Sequence, residues 1–321
     1  MTGSVLRRVD RGETTIDFVG RRRTWFTISA VLIVLSLGSL ALRQLNLGIE
    51  FVGGLGLQAP NPAGAEVGEL RDALGAVGVS SPTIQLFDDG ETVRVTTEAL
   101  QPGVEAEAVA ALVEVTGSER SEVSIDAVGP SFGALVARRA LLALGVFLGA
   151  VILFITWRLE FKMAMASVAA LLHDLILTVG VYSMTGFTVS PATVVAILTI
   201  LGYSLYDGVV VFDKIDELVE LEDDMTYTAI VNTALNQVLA RSLFTSLTSL
   251  IPVGSILVVG SVILGAPTLT EFALALFVGL AASTYSSVFV AAPLLAVWKE
   301  KELHWQERAQ KVDRRKRAGR A

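Results

Sequence analysis

The sequence predicts a polytopic α-helical membrane protein, six transmembrane helices with one small α+β (ferredoxin-like) domain inserted after the first. Three observations predict it. Of the 321 residues, 52% are hydrophobic and the mean hydropathy is +0.61, too apolar for an ordinary soluble domain. Six windows of about 20 apolar residues, the length that crosses a hydrocarbon core, recur along the chain. Between the first and second windows the pattern changes to short strands and amphipathic helices. The formal charge of −7 averages zones that differ sharply, and the absence of cysteine excludes disulfides and thiolate metal sites.

Residues 1–23 form a basic arm with Arg7, Arg8, Arg11 and Arg21 to Arg23. The first span, Thr24 to Leu42, is too long for a signal-peptide core and no small-residue cleavage site follows, so it is expected to stay uncleaved. Residues 43–138 form the soluble domain. In it, Gly48 to Leu57 is β-like with paired glycines that suggest a bulge. Ala65 to Val77 has helical spacing, with Val67, Leu70, Leu74 and Val77 on one face. Thr83 to Phe87 and Thr92 to Thr97 flank the turn Asp88-Asp89-Gly90. Val104 to Val115 is helical again, and Glu122 to Val128 is a last strand. The order β-α-β-β-α-β is that of a split ferredoxin-like motif. No His, Cys or Ser/His/Asp constellation occurs there, and its acidic residues read as a solvated face.

The remaining spans, Arg139 to Trp157, Lys162 to Met184, Pro191 to Phe212, Ser242 to Leu264 and Thr270 to Trp298, make a five-helix bundle over 139–298. An acidic cytoplasmic loop, 213–241, separates the third and fourth of these, and a basic tail occupies 299–321. Basic residues set the orientation: they crowd the arm, the turn with Arg158 and Lys162, and the tail, and are missing from Thr185 to Ser190 and Gly265 to Leu269. Both termini are therefore expected in the cytoplasm, with Trp25, Trp157 and Trp298 at that interface. The tail reads as an anchor to anionic lipid.

Polar groups inside apolar windows are functional candidates by default. Asp207 stands inside ILTILGYSLYDGVVVFD, about 9 Å along the axis from Asp213, with Tyr203 and Ser204 on its face. His173 and Asp174 lie about 16 to 18 Å beyond Lys162 in LLHDLILTVG. As adjacent helical positions they need not face each other, and Thr178 shares a face with Asp174. Hydrogen-bonding glue and a proton path are both open readings for this pair. Arg241 opens the fifth span, followed by a stripe of Thr245, Thr248 and Pro252 with an expected kink; it is either an interfacial anchor or a cation reaching back toward Asp207 or toward a partner's carboxylate. Gly279, Ser283, Ser286 and Ser287 in the sixth span suit close helix packing.

These segments carry a resemblance. LGIEFVGG after the first span, LLHD in the third and ILTILGYSLYDGVVVFDKIDE in the fourth, followed by ALNQVLARSLFTSLTSL and GLAASTYSSVFVAAPLL, together resemble the SecF family of bacterial protein-export subunits. The resemblance implies a six-span half of an RND-type transporter in the inner (cytoplasmic) membrane. It implies pairing with SecD beside the SecYEG channel, with YajC as a further associate, and use of the proton motive force to act on unfolded exported polypeptide. Carried over, Asp207 matches the proton-linked aspartate and Arg241 its partner arginine, while His173 and Asp174 match a recurrent pair. One departure is Tyr206-Asp207-Gly208, where the family usually has Asn-Asp-Thr, so both neighbours of the aspartate differ.

The expected function is thus a conformational motor driven by protons, or by another cation, and not an enzyme. No catalytic, cofactor-binding or metal-binding residues are expected, and no nucleic-acid partner. Two alternatives compete with it. A proton-coupled small-molecule or lipid exporter half would need a large ligand-binding outer domain. An intramembrane aspartyl protease needs two positioned carboxylates, and the second motif, Gly-x-Gly-Asp, is missing because Leu172-His173 precedes Asp174.

Overall fold

The structure, a computed structural model, describes residues 14–80, 82–263 and 266–318; Arg7, Arg8, Arg11, Leu264, Gly265 and Arg320 lie outside them. Helix α1 (Arg22–Arg43) leads into strand β1 (Asn46–Leu47) and a single helical turn, α2 (Ile49–Val52). The segment Gly48 to Leu57 is therefore not one bulged strand. Gly53 and Gly54 adopt φ of 79° and 135°, which reverses the chain between α2 and strand β2 (Gly54–Pro60). A Cβ on Gly54 would lie 2.2 Å from the Thr97 carbonyl, so the sheet can close only on glycine there.

The domain continues as α3 (Val67–Ala76), β3 (Thr83–Phe87), β4 (Thr92–Thr97), α4 (Pro102–Thr116) and β5 (Ser124–Val128). Its sheet has the order β3-β4-β2-β5 and is antiparallel throughout, the arrangement of a split β-α-β-β-α-β motif. Strand periodicity divides the two faces. Leu55, Leu57, Val93 and Val95 are buried against Leu70, Leu74, Val109 and Leu112 of α3 and α4. Gln58, Arg94 and Gln85, which stand opposite one another in register, occupy the other face.

Helix α5 (Pro130–Arg158) starts at Pro130, ahead of the expected Arg139. Proline at the first turn suits a helix start, where its missing N–H has no partner to lose. Then come α6 (Phe161–Thr185), β6 (Thr188–Val189), α7 (Pro191–Leu221) and α8 (Tyr227–Val258), which ends in a wide π turn, Val259–Ile263. The expected loop 213–241 is thus largely helix. Ile215, Leu218, Ile230, Val231, Ala234, Leu235 and Val238 recur at helical spacing and are buried, while the Thr226 hydroxyl caps α8 by accepting from Ala229 N at 3.3 Å. Helix α9 (Pro267–Ser286) passes through a second π turn, Ser287–Ala291, into α10 (Ala292–Lys299). Pro293 has no N–H to offer the carbonyl four residues back, which accounts for the wider turn before it.

Among the described residues, six helices are long and apolar enough to cross a bilayer, making this a multi-pass membrane protein. Helix α6 is central, with 56% of its most apolar window buried, against 11% for α1 and α5 and 6% for α8. Gly180 permits the close α1–α6 contact: a Cβ there would meet Ser36 Cα at 2.7 Å. The sheet domain rests on one end of the bundle through parallel β1–β6 pairing (Asn46↔Thr188, Leu47↔Val189) and through Gln85 Nε2, which donates to Gly186 O at 3.0 Å.

At the opposite end the chain folds back on itself. The Asn232 carboxamide oxygen accepts from Phe18 N and Val19 N at 3.0 Å each, and Asn236 Oδ1 accepts from Ile16 N at 2.9 Å. The basic tail is not merely a strip for lipid. Residues Leu303–Ala318 form α11, whose Trp305 packs edge-on to Tyr227 at 4.6 Å. Arg308 Nε donates to Met225 O at 3.0 Å, and Arg315 pairs with Asp224, so tail and acidic α7–α8 connection neutralise each other.

Candidate functional site

Asp174 and Asp207 sit within the bundle, each satisfied from a neighbouring helix. Asp174, mid-way along α6, is 1% exposed. Its Oδ2 accepts from Ser204 Oγ of α7 at 2.7 Å and from Ser286 Oγ of α9 at 2.9 Å. Its Oδ1 lies 3.2 Å from His173 Nδ1. The adjacent pair, which helix geometry does not oblige to face each other, therefore does meet. His173 is 3% exposed and stacks on Tyr285 at 5.8 Å; its Nε2 has no partner. The Tyr285 hydroxyl accepts from Ser29 and donates to Trp25 O, so a polar seam runs from α1 across α9 to α6. Thr178 hydrogen-bonds the Asp174 backbone carbonyl at 2.8 Å and leaves the carboxylate alone.

Asp207, on α7, is half-buried. Its Oδ2 accepts from Ser242 Oγ of α8 at 2.7 Å. It opens on a narrow crevice of ≈ 20 Å³, lined also by Tyr203, Tyr206, Thr245, Ser246, Ser249, Ser283 and Thr284, room for about one water molecule. Arg241 does not reach back to Asp207. Its Nη2 donates to the Tyr206 hydroxyl at 3.0 Å, and among the described residues it makes no ion pair. It is exposed on the outside of the bundle.

The other expected residues divide. Ser204 serves Asp174 instead of Asp207, since successive turns of α7 face different neighbours. Tyr203, Thr245 and Ser283 line the crevice. Thr248 is exposed and bonds back to Phe244 O and Thr245 O. Gly279 is a packing residue: a Cβ there would lie 2.3 Å from Ile200 Cδ1. Ser286 does more than pack, because its hydroxyl binds Asp174.

The sequence reading missed Ser242, which announces itself only as the neighbour of Arg241, and Glu271. Glu271 is an acidic residue just past the first turn of an apolar span, a signal that was legible. Its side chain is 1% exposed, and its Oε1 pairs with Arg94 Nη1 of β4 at 2.7 Å. Among the described residues no cluster of three or more His, Asp or Glu side chains could hold a metal ion.

Fold and site define a class: a six-span membrane protein with a split βαβ domain after its first span and paired intramembrane carboxylates. Residues 108–301 match the family of protein export membrane proteins SecD/SecF, C-terminal. The chain is 38% identical to protein translocase subunit SecF of Streptomyces coelicolor over 94% of its own length and 81% of that protein's. It is 35% identical to SecF of Mycobacterium tuberculosis strain H37Rv, covering 98% of this chain and 74% of the relative. The crystal structure of SecDF, a translocon-associated membrane protein from Thermus thermophilus, superposes with a TM-score of 0.82 at 31% identity. That match covers 92% of this chain and 41% of the SecDF chain. The chain belongs to the SecD/SecF family of protein export membrane proteins, as the sequence motifs predicted.

Proposed function

We propose that this protein is a SecF-type translocase subunit that couples proton movement to protein export, through Asp207. The sheet domain would face the periplasm, and both termini the cytoplasm of the inner membrane. The observation that carries the reading is the geometry around Asp207. A half-buried carboxylate held by one interhelical hydroxyl borders a water-sized crevice, and the exposed Arg241 lies on the same α7–α8 face. An arginine on the outside of a membrane bundle is costly unless covered, so Arg241 is where a partner's carboxylate would dock. The partner is a SecD-like chain: the SecDF relative is more than twice as long as the region this chain matches. The SecYEG channel and YajC complete the expected assembly, with unfolded polypeptide as the cargo.

Protonating Asp207 removes the charge that Ser242 donates to. It thereby weakens the α7–α8 link and biases the bundle toward another packing. One elementary charge crossing 100 mV supplies about 2.3 kcal/mol, enough to shift a two-state equilibrium about 50-fold. Asp174, sealed and bonded from three sides, is assigned the role of fixing the order of α6, α7 and α9 around that movement. The protein works as a conformational motor and not as an enzyme. The experiment is proton-driven export in vesicles carrying this chain with its SecD-like partner; Asp207→Asn should abolish the gradient-dependent part.

A further inference from the structure

We propose that Arg94 and Glu271 form the coupling that carries movement of α9 into the sheet domain. The inference rests on the reading of Asp207 as the proton-linked group, and assigns a part that reading leaves open: how a change among the helices reaches the domain outside them. Helix α9 touches Asp174 and lines the crevice beside Asp207. Its Ser286 donates to Asp174, and its Leu280, Ser283 and Thr284 line the Asp207 crevice. Fifteen residues earlier on the same helix, about 22 Å along the axis, stands Glu271. Residue 271 is 0% exposed, its backbone carbonyl is held by the Tyr182 hydroxyl, and its carboxylate oxygen Oε1 takes the Arg94 guanidinium.

Arg94 sits on the inner strand β4, flanked in register by Gln58 and Gln85. Its neighbours Val93 and Val95 are buried in the domain core on the other face of the sheet. A pull on this guanidinium is a pull on the centre of the domain. Its Nη2 also donates to Thr268 Oγ1 at 3.3 Å, and its guanidinium lies over the Phe87 ring. Among the described residues, every side-chain hydrogen bond between the sheet domain and α9 comes from Arg94. The other fastenings run to different helices, by β1–β6 pairing and Gln85 to the end of α6, and by α2 against Gly133 to α5. Among the described residues the second Glu271 oxygen, Oε2, has no hydrogen-bond partner, and it adjoins a polar cleft of ≈ 110 Å³ that Glu50 and Asp126 also line. The Arg94 guanidinium is thus the one charged partner of this carboxylate among the described residues. A buried charge with one partner keeps that partner, so domain and helix move together.

The chain contains no cysteine, so a reporter can be built cleanly. Gln85→Cys with Thr188→Cys spans the junction where Thr188 Oγ1 donates to Gln85 Oε1 at 2.9 Å. Disulfide formation is timed in vesicles holding the full chain and its SecD-like partner, with and without an imposed proton gradient. The expected result is a rate that changes at least fivefold with the gradient. That response should be lost, together with gradient-driven export, in Arg94→Gln and in Glu271→Gln, and regained when Arg94→Glu and Glu271→Arg are combined. A pair that merely glues the domain down would alter the basal rate and leave the gradient response in place; that result overturns the proposal, as does a reporter that ignores the gradient in the parent chain. Should the single variants fail to accumulate, a charge-swapped chain that accumulates without response overturns it equally. Gradient-driven export persisting in Asp207→Asn would sink the earlier reading instead. Gradient-driven export lost in Asp207→Asn but intact in both single variants would sink this coupling alone.

Discussion

Removing the hydroxyls around Asp174 one at a time gives a quantitative test of the central junction. Ser204→Ala deletes the 2.7 Å donor from α7, and Ser286→Ala the 2.9 Å donor from α9. Interhelical hydrogen bonds in membrane proteins average about 0.6 kcal/mol and reach about 1.7. A carboxylate acceptor strengthens such a bond roughly twofold over a neutral one, and the Asp174 side chain is 0% exposed. The coupling of each serine to Asp174 should therefore fall at about 1 to 1.7 kcal/mol. The two should differ in a definite order. Ser286 Oγ has a second acceptor, Ser283 O at 3.2 Å, to which it retreats when the carboxylate is lost; Ser204 Oγ has none described. Ser204 should thus couple more strongly than Ser286. The assay is reversible unfolding in mixed micelles for a cycle of Asp174→Ala with each serine variant. Coupling below about 0.3 kcal/mol for both, or the reverse order, would refute the reasoning.

Three further outcomes follow from the packing and the charges. Gly180→Ala should lower stability by about 1 to 3 kcal/mol through overpacking, because the new methyl meets the Ser36 backbone; thermal unfolding in detergent checks this. Asn232→Leu should free residues 18–19 from α8, since their two backbone N–H groups lose their acceptor, and trypsin should then cut faster at Arg21 to Arg23. The tail helix should loosen in acid. Burial alone would raise the pKa of Glu302, yet the Lys162 and Lys299 ammonium groups outweigh it and hold the value below the ordinary 4.5. A depressed carboxylate contributes stability above its unfolded value and loses it as pH falls through the folded one. The fluorescence of Trp305, which is buried beside Tyr227, should therefore be constant at neutral pH and change below about 4.5, and Glu302→Gln should remove that pH step.

Much of this molecule is legible in the residues, and what is not has a physical reason. Apolar windows and the β-α-β-β-α-β pattern are local signals, so the spans and the domain's strand succession can be read directly. The ends of helices are harder. Hydropathy marks where lipid stops, while α7 and α8 run on because Ile215, Leu218, Ile230 and Leu235 bury one another beyond it. Placing Asp207, Asp174 and Arg241 in the bundle required only an ionisable group in an apolar run. Their partners could not be read in the same way. Ser242, Ser204 and Ser286 are ordinary residues whose importance comes from which helix faces which, and Arg241 turns to Tyr206 because the helices place that hydroxyl within reach. The Arg94–Glu271 pair joins residues 177 positions apart, a separation no local pattern spans.

The most direct test of proton coupling is export through vesicles that contain this chain, its SecD-like partner and the channel, measured with the gradient on and off for Asp207→Asn. That substitution keeps an oxygen that can accept from Ser242 and removes the titration. Folding and basal export should survive while the gradient-dependent increment disappears. A complex carrying Asp207→Asn that still exports faster when the gradient is applied would contradict the assignment of Asp207.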